Sequence, residues 1–171
     1  MKKFELTSNT KIFSGRKLFQ IKALVSFGNV KEGELGGYIE KEANLDHSGN
    51  AWVYGDAKVC GDAWVCGNAW VYGDAKAYGN AKVYGNAEVC GDALVCGDAD
   101  YAIIKGFGTE FRTTTFFKCK DRVTRVRCGC FYGDLNQFRE QVKNTRTGKI
   151  AEEYLMIADL MEKHFKEEKN V

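Results

Sequence analysis

The sequence predicts a mainly β protein: a parallel β-solenoid of about three coils, with a small N-terminal β cap and a C-terminal cap of one hairpin and two helices. Three observations predict it. From Gly49 to Cys96 a six-residue unit, Gly-(Asp/Asn)-Ala-x-(Val/Ala)-(Tyr/Cys), runs eight times without slip, from GNAWVY to GDALVC, and a degenerate ninth copy spans Gly97 to Ala102. A period of six is too short for a helical-pair repeat and too regular for a sandwich. Nine of the 19 glycines fall at six-residue intervals inside the repeat, where they serve turns, and the chain has no proline. The flanks lose the period and show ordinary strand and helix patterns.

Residues 1–40 are expected to form the N-terminal cap. Lys11 to Ser14 and Lys17 to Ser26 (KLFQIKALVS) read as strands, and Gly28 to Gly37 reads as a turn-rich segment. The open end of a solenoid exposes unpaired backbone, and such a cap covers it. Lys41 to Asp46 (KEANLD) looks like a worn copy of the unit, after which His47 and Ser48 shift the frame by two. The solenoid is therefore assigned to 41–102.

Within the unit, alternation along a strand sends the Val inward with the small Ala, and sends x and Tyr/Cys outward. The Gly-Asp/Asn pair is expected to make the corners, because both residue types tolerate left-handed backbone. Three units per turn make an 18-residue coil. Outward residues 18 apart then share a column: Trp52, Trp70 and Glu88 beside Tyr54, Tyr72 and Cys90; Lys58, Lys76 and Leu94 beside Cys60, Tyr78 and Cys96; Trp64, Lys82 and Asp100 beside Cys66 and Tyr84. The first face is an exposed aromatic ladder in this reading, of the kind that marks an interface or stacks a planar ligand.

Residues 103–171 form the C-terminal cap. Phe111 to Lys118 and Arg122 to Cys128 read as antiparallel strands joined at Cys119-Lys120-Asp121. Asp134 with Gln137 (DLNQ) is a capping box for a helix whose apolar side is Leu135, Phe138 and Val142. A second helix is expected from about Lys149 to Glu167, with Ile150, Tyr154, Ile157, Met161 and Phe165 on one face.

The repeat resembles hexapeptide-repeat proteins of the left-handed parallel β-helix type; Val53 with Ala57 and Val59 with Ala63 fit their motif. The resemblance alone implies left-handed winding, against the usual right-handed crossover preference, and it implies a homotrimer with ligands at subunit boundaries. The whole chain also resembles a group of phage- and prophage-encoded hexapeptide-repeat proteins, carried by KALVSFGNVKEGELGGYIEKEANL before the repeat and TTTFF, RCGCFYGDLNQF and EEYLMIADL after it. By analogy with small phage proteins that sequester nucleotide-derived signals of bacterial immunity, that resemblance implies a binding role in the host cytoplasm.

The formal net charge is +2, unevenly placed. Residues 49–102 hold six Asp and one Glu against three Lys, a net of −4, which leaves +6 for the flanks. An anionic partner at one end is expected. The seven cysteines, the lack of an apolar run after the first lysines and the lack of an apolar stretch of membrane-spanning length predict a cytoplasmic protein with reduced thiols. No metal or cofactor is expected: Cys128-Gly-Cys130 with Cys119 lacks the paired spacing of a zinc site. Two histidines, His47 and His164, are too few for the three-histidine metal site of carbonic anhydrases with this fold. His47 as general base of a hexapeptide-repeat acyltransferase is the enzymatic alternative; a ligand-free oligomeric scaffold is the structural one.

Arg112, Lys118, Lys120, Arg122, Arg125 and Arg127 crowd the hairpin, with Arg125 and Arg127 on one side of their strand and Thr113 to Thr115 adding hydroxyls. Arginine forks suit phosphate; no groove-reading motif points to nucleic acid. The leading expectation is thus a non-enzymatic oligomeric binder of a small anionic, nucleotide-like molecule. Trp52, Tyr54, Trp70 and Tyr72, with Trp64 and Tyr84, would stack its base, and Arg112, Arg125 and Arg127 would hold its phosphate. The stacking and charged groups are expected to be far apart within one subunit.

Overall fold

The computed structural model describes residues 1–166. It is mainly β, a solenoid of about three turns built of parallel sheets, followed by an antiparallel sheet and two helices. The chain opens with β1 (Phe4–Phe13) and β2 (Arg16–Ala23), an antiparallel hairpin, followed by β3 (Leu35–Ile39). β3 pairs antiparallel with β2 on one edge and parallel with the solenoid on the other. The segment read from sequence as turn-rich therefore ends inside β3, and the two residues after it, Tyr38 and Ile39, form the first rung of the parallel ladder. Gly36 and Gly37 resemble turn residues in the sequence, yet a Cβ on Gly36 would sit 2.6 Å from both Ile21 Cγ1 and the Val53 carbonyl oxygen. These glycines permit close approach to the first coil.

The repeat forms eight two-residue strands, β4 (Trp52–Val53), β5 (Lys58–Val59), β6 (Trp64–Val65), β7 (Trp70–Val71), β8 (Lys76–Ala77), β9 (Lys82–Val83), β10 (Glu88–Val89) and β11 (Leu94–Val95). They stack in three parallel faces: β4-β7-β10, β3-β5-β8-β11 and β6-β9. Trp52 pairs with Trp70, Trp70 with Glu88, Lys58 with Lys76 and Trp64 with Lys82, so the coil is 18 residues long as the sequence predicts. Leu45 bridges to Val65, which makes the worn copy part of the coil. The inward Val and Ala positions are 0–1% exposed along the whole stack.

The corners depart from expectation in one respect. Only the glycine of each pair takes positive φ, 58° to 70° from Gly49 to Gly91, while the following Asn or Asp does not. With a bond from the alanine amide to the carbonyl three residues earlier, such as Ala57 to Tyr54, closing six of the eight turns, positive φ at the first central position alone marks a II′-like turn. Left-handed tolerance therefore explains the glycine and not its neighbour. At the ninth copy Gly97 is extended (φ −156°) and a single 3-10 turn, Asp98–Asp100, replaces the corner. Tyr101 takes the inward slot there, is 6% exposed, and its hydroxyl donates to the Lys82 carbonyl.

Beyond the solenoid, β12 (Tyr101–Ile104), β13 (Thr114–Lys118), β14 (Thr124–Cys128) and β15 (Phe131–Asp134) form a four-stranded antiparallel sheet, not the lone hairpin expected. It serves two cores. Phe117 and Cys119 close the end of the solenoid, while Phe116 and Val126 face the helices. α1 (Leu135–Thr145) and α2 (Gly148–Phe165) bury the predicted faces. Both halves of the Asp134–Gln137 capping box form, at 2.8 and 2.9 Å. The predicted end of the second helix, Glu167, lies outside the described residues.

Candidate functional site

Stacking at 18 residues puts Trp70 above Trp52 and Tyr72 above Tyr54, but the cap separates their fates. Trp52 is completely enclosed, with Phe4 and Phe27 edge-on to its ring at 6.3 and 5.3 Å. It is a core residue and no ligand reaches it, which corrects the expectation of two exposed tryptophans. Tyr54, Trp70 and Tyr72 remain at the surface, with the Tyr54 and Trp70 rings 5.4 Å apart and inclined at 59°. Trp64 and Tyr84 lie on another face, 40% and 52% exposed, and take no part in this cluster.

The C-terminal sheet brings a guanidinium to the ladder. Tyr54, Trp70 and Tyr72 line a cleft of about 510 Å³ together with Asn29, Glu88 and Arg127. The expectation that aromatic and cationic groups lie far apart within one subunit is thus corrected for Arg127. Alternation on β14 sends Val126 to the helices and Arg125 and Arg127 the other way. Arg127 Nε donates to Glu88 Oε2 at 2.9 Å, and the Tyr72 hydroxyl donates to the same oxygen at 3.1 Å. The Glu88 amide donates to Thr115 Oγ1 at 3.0 Å, which ties this corner of the cleft to β13. Burial, then a hydrogen bond with Cys90, raises the Tyr72 phenol above its ordinary range, and burial also raises Tyr54. Both therefore present neutral hydroxyls.

A second groove of about 300 Å³ adjoins the first and shares Asn29, Trp70 and Glu88 with it. Its wall is the column Asn50, Asn68 and Asn86, in which Asn68 Nδ2 donates to Asn86 Oδ1 at 3.1 Å. Sequence reading missed this column and Asn29. The column was legible from the Asn/Asp choice taken at a spacing of 18; Asn29 was not, since the fold of the cap delivers it.

The other expected anion-binding residues go elsewhere. Arg125 pairs with Asp121 at 2.6 Å. Arg112 lines a separate small pocket of about 120 Å³ with Arg146, Cys128, Cys130, Phe131 and Tyr154. Thr114 and Thr115 are buried, so they are not surface donors. His47 is held by its neighbours: Nδ1 accepts from the Lys3 amide at 3.1 Å and the ring stacks on Phe4 at 4.3 Å. Among the described residues no three His, Cys, Asp or Glu side chains converge as a metal site would require, and no helix is long and apolar enough to cross a membrane.

Fold and site together define a capped β-solenoid with an aromatic cleft closed on one side by a guanidinium–carboxylate pair. The sequence matches no family model and no curated protein.

Proposed function

We propose that this is a non-catalytic binding protein that sequesters a planar, anionic small molecule of nucleotide type. One observation carries the reading: Tyr54, Trp70 and Tyr72 share a single cleft with Arg127. Rings held at the surface stack a heterocycle, and a guanidinium suits phosphate. Arg127 uses Nε for Glu88, and no hydrogen bond among the described residues engages its two Nη groups, which stay available to an acidic group. The neutral Tyr54 hydroxyl supplies a donor without repelling that group, while the Tyr72 proton is engaged by Glu88. His47 as a catalytic base gains no support from a ring already occupied by Phe4 and the Lys3 amide.

The resemblance to phage hexapeptide-repeat proteins extends the proposal to a left-handed solenoid, a homotrimer and a role against nucleotide signals of host immunity in the bacterial cytoplasm. The exposed Trp64 and Tyr84 leave the third face as a candidate for contact between subunits. Native mass spectrometry checks the subunit count and any retained ligand.

Isothermal titration with ribonucleotides and cyclic nucleotides tests the binding role. Wild type is expected to bind at least one of them and release it unchanged, and Trp70→Ala is expected to weaken binding at least about five-fold, since one lost base–aromatic stack amounts to about 1–3 kcal/mol. Absence of binding across the panel, or chemical turnover of the bound nucleotide, overturns the proposal.

A further inference from the structure

The Asn/Asp choice at the corners of the solenoid is sorted by column. At one corner the stack is Asn50, Asn68, Asn86; at the next it is Asp56, Asp74, Asp92; at the third it is Asp62, Asn80, Asp98. The backbone does not demand this sorting, because at every corner from Gly49 to Gly91 the positive φ falls on the glycine and the residue after it stays outside the left-handed region. The same turn accepts either side chain.

What differs is the neighbourhood. The all-Asp corner lies among lysines: Lys11 pairs with Asp56, and Lys58 Nζ donates to the Asp56 carbonyl. At the mixed corner Lys41 pairs with Asp62, and Asp98 accepts from the Lys82 amide. The all-Asn corner instead walls the groove that shares Trp70 and Glu88 with the aromatic cleft.

We infer that the asparagine column is the specificity wall of the cleft. It keeps the field near Arg127 free of added negative charge and presents amide donors and acceptors to the polar edge of a planar ligand, whose anionic group lies toward Arg127. The inference rests on the cleft being the ligand site. It names Asn68 and Asn86 as residues that set the preference for an anion. Self-repulsion of three stacked carboxylates is the competing account, and single substitutions separate the two, because one Asp in the column has no carboxylate above or below it there.

The experiment compares wild type, Asn68→Asp, Asn86→Asp, Asn68→Ala and the remote control Asp74→Asn. Each is titrated with the four ribonucleoside 5′-monophosphates and the four nucleosides at low and high salt. A unit charge about 8 Å from a phosphate, at an effective dielectric of about 40, weakens binding roughly five-fold, and salt screens the loss. The Asp variants are expected to keep the wild-type melting temperature and to lose that much affinity for monophosphates but none for nucleosides. Asn68→Ala is expected to weaken both ligand sets, and Asp74→Asn neither. Unchanged monophosphate affinity in the Asp variants, or a melting temperature lowered by several degrees, overturns the inference and leaves the binding proposal standing. If wild type binds neither set, the inference falls together with the ligand reading of the cleft for nucleotides of this kind.

Discussion

At the scale of single residues, the three tryptophans show how one position in a repeat acquires three roles. Trp52, Trp64 and Trp70 occupy the same slot of the unit, yet Trp52 is fully buried, Trp70 half-buried and Trp64 exposed. The column of each was legible from a spacing of 18. The burial of Trp52 was not, because Phe4 and Phe27, which enclose it, belong to a cap whose folding no repeat pattern describes. Trp52→Ala is expected to lower stability by about 3–5 kcal/mol through the cavity it leaves, and Trp64→Ala by no more than about 1 kcal/mol. Urea denaturation of both variants checks this; equal losses would contradict the burial difference.

At the scale of elements, legibility followed local signals. The start of α1 was readable because its capping box is a matter of four consecutive residues, and Leu135, Phe138 and Val142 fall on the predicted buried side. Asp134→Ala is expected to cost about 1 kcal/mol, the usual size of a lost cap, seen as a lower midpoint in urea with an unchanged slope. β3 and β15 were not readable, since each contains glycine where a neighbour comes close. A Cβ on Gly133 in β15 would lie 2.8 Å from Gln137 Oε1 and 2.9 Å from the Phe131 ring. In sequence such glycines resemble turns; in the fold they are points of contact between the sheet and what packs on it.

At the scale of the whole molecule, the two caps seal the solenoid, and docking leaves Cys60 and Cys90 of the repeat and Cys119 of the C-terminal cap buried. Burial pushes the Cys119 thiol from 9.0 up to about 12, and burial also raises Cys60 and Cys90. In the unfolded chain these thiols ionise near pH 9, so their contribution is full below that pH and is lost as pH rises toward 12. Lys3 acts in the opposite sense: burial lowers it from 10.5 to about 8, partly offset by Asp46, so the folded protein binds fewer protons than the unfolded chain between those values and gains stability with rising pH there. Three buried thiols outweigh one lysine, so stability is expected to decline from about pH 9 upward. Cys119→Ala should flatten that decline and Lys3→Met should steepen it, as read from urea midpoints between pH 7 and 10.5.

The sequence by itself determined the solenoid, its 18-residue coil, the uniform Val and Ala interior and the identity of each outward column. All of these follow from a strict local period acting through strand alternation. Only the tertiary structure decided which columns meet other parts of the chain. The cap buries Trp52, β14 delivers Arg127 to Glu88 and Tyr72, and the loop before β3 places Asn29 beside Trp70. Those contacts join segments whose spacing in the chain carries no period, so the cleft exists only once the caps have docked.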